Sequence, residues 1–340
     1  MIVEPFPSYR LAEDDLKQLD SLIDDLIDSG YDPAGAELYS APWSIIRRLP
    51  PALCAALTTF RLHEQSAALV LDGLAIDDNQ AGPTPLDWSS DSAASATRRE
   101  ELFLGMVAMM MGDTFSWSTL QAGRLIQNVI PLPGDEQEQS GHGSEVELAW
   151  HTEDAFHPYR CDYLLLLGIR NRDATPTLVS SIRDVHLSDS DRATLFEERF
   201  QILPDNEHLR QLADEASHHP GFQRIQLMRD DPPPVSVLFG ARSQPYLRID
   251  PFFMRCARDD DLEAAAALER LTSELERVQR NVVIAPGSLL ILDNHLAVHG
   301  RRAFQARYDG TDRWLKKAIV TRDLRKSRDM RVAPESRVIV

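Results

Sequence analysis

The chain has 340 residues, of which 43% are hydrophobic and 26% are charged, a composition typical of globular proteins. Its formal net charge of −17 argues against nucleic acid or an anionic membrane surface as the main partner. The three cysteines form no Cys-x-x-Cys pair, so we predict neither a disulfide framework nor a thiolate zinc site, and expect a reducing, cytoplasmic setting. No signal peptide or membrane span is predicted, because the longest apolar stretch, residues 102–111, is about half as long as a bilayer requires.

The first third of the chain is predicted to be mainly helical. Apolar residues at helical spacing predict helices over residues 11–30, 51–65 and 97–111. Residues 67–74 are typical of a buried strand. Residues 77–95 are rich in Asp, Pro, Ser and Gly, which predicts a surface loop.

Short apolar runs bounded by turn residues dominate the chain from Trp117 onward. They predict strands over residues 124–131, 146–151, 163–170, 235–239, 246–250, 282–284, 289–292 and 314–321. Many short strands favour a sandwich or barrel over alternating βαβ units. Helical spacing returns over residues 188–200, where Ser188 is an N-cap candidate, and over residues 260–280.

These elements predict one domain over residues 1–340, mainly β with flanking helices, in the α+β class. A helical part over about residues 1–115 is expected to lie against a β core over about residues 116–325. The polar segment 205–223 interrupts the periodicity and is predicted to be a mobile lid.

A histidine and a carboxylate two residues apart stand in the sequence Trp-His-Thr-Glu-Asp-Ala-Phe that begins at Trp150. Because side chains alternate along a strand, His151 and Glu153 are expected on one face of an extended backbone. Such a pair supplies two ligands of a 2-His-1-carboxylate metal site. Alone it carries little weight, because 53 acidic residues and 10 histidines make such a pair expected by chance.

A second block, residues 286–304, supplies the missing ligand. It contains a turn, an apolar strand and then His299. Arg313 follows, directly before the next apolar strand, and an arginine suits bidentate binding of a carboxylate. A core histidine or a surface ion pair explains either residue alone. Together with His151 and Glu153, they predict an open metal site beside an anion-binding residue.

The chain resembles the clavaminate synthase-like Fe(II)/2-oxoglutarate oxygenases, and among these the arginine β-hydroxylase type, which acts on free basic amino acids in peptide-antibiotic pathways. The likeness extends weakly from about residue 40 to the C-terminus. It is carried by residues 150–156, 158–160, 162–163, 167–171, 297–305, 307–310, 312–316, 321–324 and 327–328. The resemblance implies a distorted double-stranded β-helix, or jelly roll, as the core.

The resemblance also implies a cofactor site. His151, Glu153 and His299 are implied to bind Fe(II), with 2-oxoglutarate and O2 as co-substrates. Arg313 is implied to hold the distal carboxylate of 2-oxoglutarate, helped by the hydroxyl of Thr177.

Further residues are implied to contact an amino acid substrate. Gln121 matches a residue that contacts the α-amino group of the substrate, and Glu153 is also expected to contact the substrate. Asp250 matches one of two acidic residues that bind a guanidinium in the arginine enzymes, but Phe252 stands in place of the second. Lys317 stands where those enzymes carry an arginine for the α-carboxylate. These departures leave room for lysine, ornithine or a ureido side chain as well as arginine.

The predicted activity is hydroxylation of C3 or C4 of a free L-amino acid with a basic or related polar side chain, in specialised metabolite biosynthesis. No nucleic acid or membrane partner is expected. An oxygenase for a carrier-bound or non-basic substrate, and a desaturase, remain open alternatives within the class. A β-helix that binds without turnover and a zinc hydrolase are rivals from other classes, and the second lacks an evident general base.

Overall fold

The computed structural model describes residues 4–90, 95–210 and 220–340. Its α-helices are α1 (Glu13–Asp28), α2 (Pro42–Ile46), α3 (Pro51–His63), α4 (Asp78–Ala81), α5 (Arg98–Met111), α6 (Asp189–Leu195), α7 (Asn206–Arg210), α8 (Pro220–Asp230) and α9 (Leu262–Arg277). Its strands are β1 (Ser8–Arg10), β2 (Ala68–Asp72), β3 (Asp113–Trp117), β4 (Gln127–Val129), β5 (Leu148–His151), β6 (Tyr163–Arg170), β7 (Thr177–Ser181), β8 (Phe200–Ile202), β9 (Leu238–Ala241), β10 (Gln244–Leu247), β11 (Met254–Cys256), β12 (Arg280–Val282), β13 (Leu289–Asp293), β14 (Ala297–Arg301), β15 (Trp314–Thr321) and β16 (Val338–Ile339). In these ranges no helix is long and apolar enough to cross a membrane.

The N-terminal helices form because their apolar residues recur on one face. Helix α1 buries Leu19, Leu22 and Ile23 on one side, and its acidic first turn lies at the positive end of the helix dipole. It ends before Gly30, whose φ of 79° few other residues adopt easily. Helix α5 is buried on nearly all sides, because it packs between the other helices and the sheet.

A large mixed sheet forms the centre of the fold, with strand order β1-β2-β13-β6-β15-β3-β16 and β4 paired to β15. Strand β6 is buried on both faces. Its residues Leu165 and Leu167 pack with the N-terminal helices, whereas Leu164 and Leu166 face the opposite core. A continuous apolar strand is therefore required here, because each face of the sheet covers a separate core.

The second sheet, in the order β12-β7-β14-β5, packs against the face of the large sheet that points away from the helices. Leu178, Val179 and Val298 of this sheet share one apolar cluster with Leu164 and Leu290 of the large sheet. Two packed sheets with this arrangement agree with a jelly-roll core. The candidate site lies where β5 and β14 meet.

Two consecutive lysines of β15 point to opposite faces of the large sheet. Lys316 points to the helical side, where its ammonium donates to Glu101 at 2.6 Å, and both side chains are almost wholly buried. Lys317 points to the other side, toward the candidate site. Alternation along the strand thus sends two adjacent cations into different cores.

The predicted helices over residues 11–30, 51–65, 97–111, 188–200 and 260–280 are confirmed in position, and Ser188 caps α6 by accepting from the amide of Asp191. The predicted loop 77–95 contains the short helix α4, and residues 91–94 lie outside the described residues. The N-terminal part also contributes β1, β2 and β3 to the large sheet.

Several strand predictions are corrected by the structure. The strands predicted over residues 235–239, 246–250 and 282–284 are displaced to Leu238–Ala241, Gln244–Leu247 and Arg280–Val282. The sequence did not predict β1, β3, β7, β8, β11, β14 or β16 as strands. In β7 and β14 the reason is chemical, because their residues Thr177 and His299 face the site and interrupt the apolar pattern.

Candidate metal centre and substrate cavity

Two histidines and one glutamate converge at the junction of β5 and β14. His151 and His299 are direct partners in the antiparallel pairing, and their ring centroids are 4.2 Å apart. Glu153 Oε2 lies 3.4 Å from His299 Nε2 and 3.8 Å from His151 Nε2. One donor atom from each residue lies within 4.8 Å of the others, so the group has the spacing to hold a metal ion.

The hydrogen bonds around His151 fit a metal ligand. Its Nδ1 lies 2.8 Å from the carbonyl oxygen of Ala149, and a carbonyl only accepts, so Nδ1 carries the proton. The lone pair of Nε2 is left to face Glu153 and His299. Two imidazole nitrogens and a carboxylate form the donor set that suits Fe(II) and leaves coordination positions open.

The expectation that His151 and Glu153 share a strand is wrong for Glu153. Strand β5 ends at His151, and Glu153 begins a turn in which Asp154 has a φ of 50° and its carbonyl accepts from the amide of His157. Aspartate is among the residues that tolerate this left-handed conformation. The carboxylate still reaches the histidines, because the turn carries it back over the end of the strand.

Asn294, at the end of β13, fixes the backbone of Glu153. Its Oδ1 accepts from the amide of Glu153 at 2.7 Å, and its Nδ2 donates to the carbonyl oxygens of Glu153 at 3.1 Å and Cys161 at 3.0 Å. The asparagine is buried and unites two distant segments. The sequence analysis assigned it no role.

Lys317 faces the same group from β15. Its ammonium donates to Glu153 Oε1 at 2.8 Å, while Oε2 is the oxygen nearer the histidines. Burial alone would raise the pKa of Glu153, but the charge of Lys317 and the hydrogen bonds with His151 and His299 outweigh it and hold that pKa well below the usual range. Glu153 is therefore an ionised carboxylate, as a metal ligand must be.

A cationic end of the cavity is formed by two buried arginines. Arg313 donates through Nη2 to Thr177 Oγ1 at 3.1 Å, and its Nε has no partner among the described residues. Burial and the neighbouring charge of Arg301 lower the pKa of Arg313 to about 9. Arg301 donates to the carbonyls of Gly143 and Val146. In the described part of the chain no carboxylate pairs with Arg313, so its environment suits an anionic ligand.

Gln121 lines the cavity from the 3-10 helix Gln121–Gly123. Its side-chain Nε2 donates to the carbonyl of Asn128 at 2.7 Å, and its Oε1 accepts from the amide of Asn128 at 2.9 Å. This pair of bonds fixes the amide plane. An amide oxygen has a second lone pair, so Gln121 can still accept from a ligand.

Asp250 and Phe252 line the cavity from the segment after β10. This segment is held over the turn that contains Glu153, because Thr152 donates through its amide to the carbonyl of Ile249 at 2.9 Å. Burial raises the pKa of Asp250 to about 6, and the nearby His151 partly opposes that rise. Phe252 is 57% exposed, so an apolar ring lies at the rim where the arginine enzymes were expected to have a carboxylate.

Two further carboxylates reach the cavity from the predicted lid. Asp205 and Glu207, before and within α7, line the cavity together with Asp250. Sequence analysis placed Asp205 at the start of the lid but assigned it no role. The described part of the lid comprises residues 205–210 and 220–223, and residues 211–219 lie outside the described residues.

Other histidines lie apart from the three that converge. His142 contacts the carbonyl of Ile130, and His295 lies 3.5 Å from Asp162 in a separate pocket. His157 accepts from the amide of Tyr159 through Nδ1. His142 nevertheless lines the same cavity, where its Nε2 lies 3.9 Å from Glu207 Oε1, whereas His157 and His295 do not line it.

Comparison with known proteins agrees with this geometry. Residues 121–319, more than half of the chain, match the protein family described as taurine catabolism dioxygenase TauD, TfdA family. The chain belongs to this family. The predicted enzyme class, an iron- and 2-oxoglutarate-dependent oxygenase, and the predicted family resemblance are thereby confirmed.

Among its relatives, the chain is 40% identical to enduracididine beta-hydroxylase of Streptomyces hygroscopicus, over 98% of this chain and 99% of that protein. It is also 40% identical to L-ornithine/L-arginine 3-hydroxylase of Catenulispora acidiphila, over 88% of this chain and 90% of that protein. The crystal structure of the non-heme iron oxygenase OrfP in complex with Fe, succinate and (3S)-hydroxy-L-Arg matches with a TM-score of 0.92 at 38% identity, over 98% of this chain and 100% of OrfP. This likeness confirms the predicted jelly-roll fold.

Proposed function

We propose that this protein hydroxylates C3 or C4 of a free L-amino acid with a basic or related polar side chain, using Fe(II), 2-oxoglutarate and O2. One observation carries the proposal. The buried donor set of His151, Glu153 and His299 shares a cavity with the Arg313 guanidinium, which has no carboxylate partner in the described residues. The relatives named above, a beta-hydroxylase and a 3-hydroxylase, support C3 over C4.

In this proposal His151, Glu153 and His299 would hold the iron. When bound, Fe(II) would supply the redox chemistry that activates O2. The protein residues contribute fixed donor atoms. Ala149 sets the tautomer of His151, and Asn294 fixes the backbone of Glu153.

The cationic end of the cavity is assigned to 2-oxoglutarate. Arg313 would bind its distal carboxylate with two parallel N–H donors, and Thr177 would orient the guanidinium and donate its own hydroxyl. Arg301 adds a positive charge nearby, although its Nη1 and Nη2 donate to the backbone carbonyls of Gly143 and Val146. A dicarboxylate would relieve the cost of burying these charges.

The α-amino acid group is assigned to three residues around Glu153. Gln121 Oε1 and the carboxylate of Glu153 would accept from the substrate ammonium. Lys317 uses one N–H for Glu153, and its other two can donate to the substrate carboxylate. Zwitterion recognition of this kind favours a free amino acid over one attached through its carboxylate to a carrier.

The side-chain end of the substrate is assigned to Asp250 and Asp205. Two carboxylates in one partly buried cavity favour a cationic group, because a cation offsets their mutual repulsion. Phe252 leaves one direction apolar, so the cavity does not surround a guanidinium with charge on every side. Arginine, ornithine, lysine and a cyclic guanidine all fit this description.

We further predict that the chain forms a single domain, acts in the cytoplasm on a small molecule without a nucleic acid or membrane partner, and carries a lid over residues 205–223. The lid would exclude water once the substrate is bound. Its helix α7 already lies over the cavity, with Glu207 in the lining.

The test is an anaerobic reconstitution with Fe(II) and 2-oxoglutarate, followed by O2 and single amino acids. The panel contains arginine, ornithine, lysine, homoarginine, citrulline and enduracididine. Succinate and a product heavier by one oxygen atom are measured by mass spectrometry, and a product lighter by two hydrogens identifies a desaturase. His299→Ala is the inactive control, and Phe252→Asp should shift preference toward arginine by about tenfold.

A product from one amino acid, absent with His299→Ala, supports the proposal and identifies the substrate. Succinate without an altered amino acid favours the second candidate, an oxygenase of the same class for a carrier-bound or non-basic substrate. The exposed ring of Phe252 at the rim is the observation that favours that candidate. Absence of succinate under all conditions would contradict the oxygenase function.

A further inference from the structure

The described beginning of the lid is attached to the protein interior by His208. This residue lies in the five-residue helix α7, and its side chain is 0% exposed. Its Nδ1 lies 2.6 Å from the Thr119 hydroxyl, and its Nε2 lies 3.2 Å from Asp154 Oδ1. The ring also packs edge-on against Trp117 and Phe156. A short helix at the mouth of a cavity thus has one deeply anchored side chain.

Asp154, the partner of His208, directly follows the proposed iron ligand Glu153. Its second oxygen accepts from the indole N–H of Trp117 at 2.7 Å. These contacts hold the side chain of a residue whose φ of 50° is unfavourable for most residues other than glycine. The hydrogen bond from His208 therefore stabilises the backbone turn that carries Glu153 back toward His151 and His299.

The same anchor fixes the acidic wall of the cavity. Asp205 Oδ1 accepts from the backbone amides of Glu207 and His208, and these hydrogen bonds fix the first turn of α7. The side chains of Asp205 and Glu207 line the cavity. Burial lowers the pKa of His208, but the charges of Asp205 and Asp154 outweigh it and raise that pKa. Both carboxylates thus favour the protonated imidazole, and its hydrogen bond to Asp154 is strengthened when the ring carries a charge.

We propose that His208 is a positioning residue that couples the position of helix α7 to the turn carrying Glu153. This inference rests on the proposed function. When α7 is in the position seen here, His208 holds Asp154, and Asp205, directly before the helix, faces the cavity that would hold the substrate side chain. Substrate binding at Asp205 therefore favours the arrangement of the turn that places Glu153 for chemistry.

Two conservative substitutions separate the coupling from simple burial. The amide nitrogen of His208→Gln can occupy the place of Nε2 and donate to Asp154. The shorter side chain of His208→Asn reaches only the region of Nδ1 and Thr119. If His208 only filled space, the glutamine and asparagine variants should lose function to a similar extent. Coupling through Asp154 requires the glutamine variant to retain function that the asparagine variant loses.

A matched control exists on the same helix. Arg210 forms ion pairs with Asp135, with one contact of 2.6 Å, and with Glu207 of the same helix at 2.8 Å, and it makes no ion pair or hydrogen bond with the turn around Glu153. Arg210→Gln loosens α7 at its exposed end only. It should change the KM for the amino acid modestly and leave the yield of hydroxylated product per succinate unchanged.

The experiment measures KM, kcat and product per succinate for wild type, the two His208 variants and Arg210→Gln, with the amino acid that the panel identifies. For His208→Asn we expect the amino acid KM to rise about tenfold, the scale of one charge-assisted hydrogen bond, and product per succinate to fall. The KM for 2-oxoglutarate should not change, and His208→Gln should recover most of the yield. Equal yields in wild type and a folded His208→Asn variant would overturn the coupling while leaving the oxygenase function intact.

A measurement on the wild type covers the case in which His208→Asn does not fold. Hydrogen exchange of the amides in 205–210 and in 152–157 is compared before and after the amino acid is added to protein loaded with Fe(II) and 2-oxoglutarate. Coupling requires both segments to become protected together. Protection of the turn without any change in α7 would overturn it, and a wild type that makes no succinate would overturn the proposed function itself.

Discussion

Replacement of Asn294 by alanine should weaken both the fold and the metal site. The substitution removes three hydrogen bonds, two with the backbone of Glu153 and one with the carbonyl of Cys161. These groups are buried, and each buried polar group left without a partner costs about 1–3 kcal/mol. Taking the lower end for each of the three, we expect the free energy of unfolding to fall by about 3 kcal/mol.

The assay is urea unfolding in the presence of a chelator, so that metal binding does not contribute to the measured stability. Fe(II) affinity is then measured separately by titration. Because Asn294 positions a ligand through its backbone, we expect the affinity to fall about 10- to 100-fold. The control is Asn281→Ala, an exposed asparagine on β12, which should change stability by less than about 0.5 kcal/mol.

Two outcomes of these measurements would contradict the expected role of Asn294. If Asn294→Ala lost less than about 1 kcal/mol and bound Fe(II) as tightly as wild type, the backbone of Glu153 would not depend on the asparagine. A loss of stability without a loss of affinity would assign Asn294 to the fold alone.

Three further predictions concern buried charges. Lys316→Met should cost about 3–5 kcal/mol in urea unfolding, because it leaves the buried carboxylate of Glu101 unpaired, and adding Glu101→Leu should restore most of that loss. Arg313→Met should raise the KM for 2-oxoglutarate about 100-fold, whereas the exposed Arg302→Met should leave it unchanged. Burial raises the pKa of Asp293 to about 7, so its contribution to stability is full below about pH 4 and is lost as the pH rises toward 7. The advantage of Asp293→Asn over wild type should therefore grow by about 3 kcal/mol between about pH 5 and pH 8, and an equal advantage at both would contradict the assignment.

The site residues proposed from the sequence are those whose side chains have the chemistry of a metal ligand or an anion-binding group. His151, Glu153, His299 and Arg313 were recognised because imidazole, carboxylate and guanidinium groups at these positions have few structural explanations in combination. The long apolar strands β6, β13 and β15 were predicted because burial on both faces demands continuous hydrophobicity.

Residues that act through ordinary groups could not be predicted in this way. Asn294 ends a strand like many asparagines, and only the pairing of β13 with β6 shows that its amide faces Glu153. His208 stands in a polar segment without periodicity, so nothing local indicates that it is buried. Asp205 is one of 53 acidic residues in the sequence, and only the fold shows that it lines the cavity.

The neighbouring lysines of β15 have a consequence for how that strand finds its alignment. A slip of one residue in one direction would place Lys317 opposite Glu101 but Ala318 opposite Glu153, so only one of the two ion pairs could re-form. A slip in the other direction would place Lys316 opposite Glu153 and Leu315 opposite Glu101. A buried carboxylate would lose its cation in either case, so charge helps to select the correct alignment. Packing acts in the same sense, because a slip would exchange the cores of Trp314 and Ala318 on the helical side with those of Leu315 and Ile319 on the other. A variant forced into the slipped alignment should consequently lose one buried ion pair as well as the fit of its two cores.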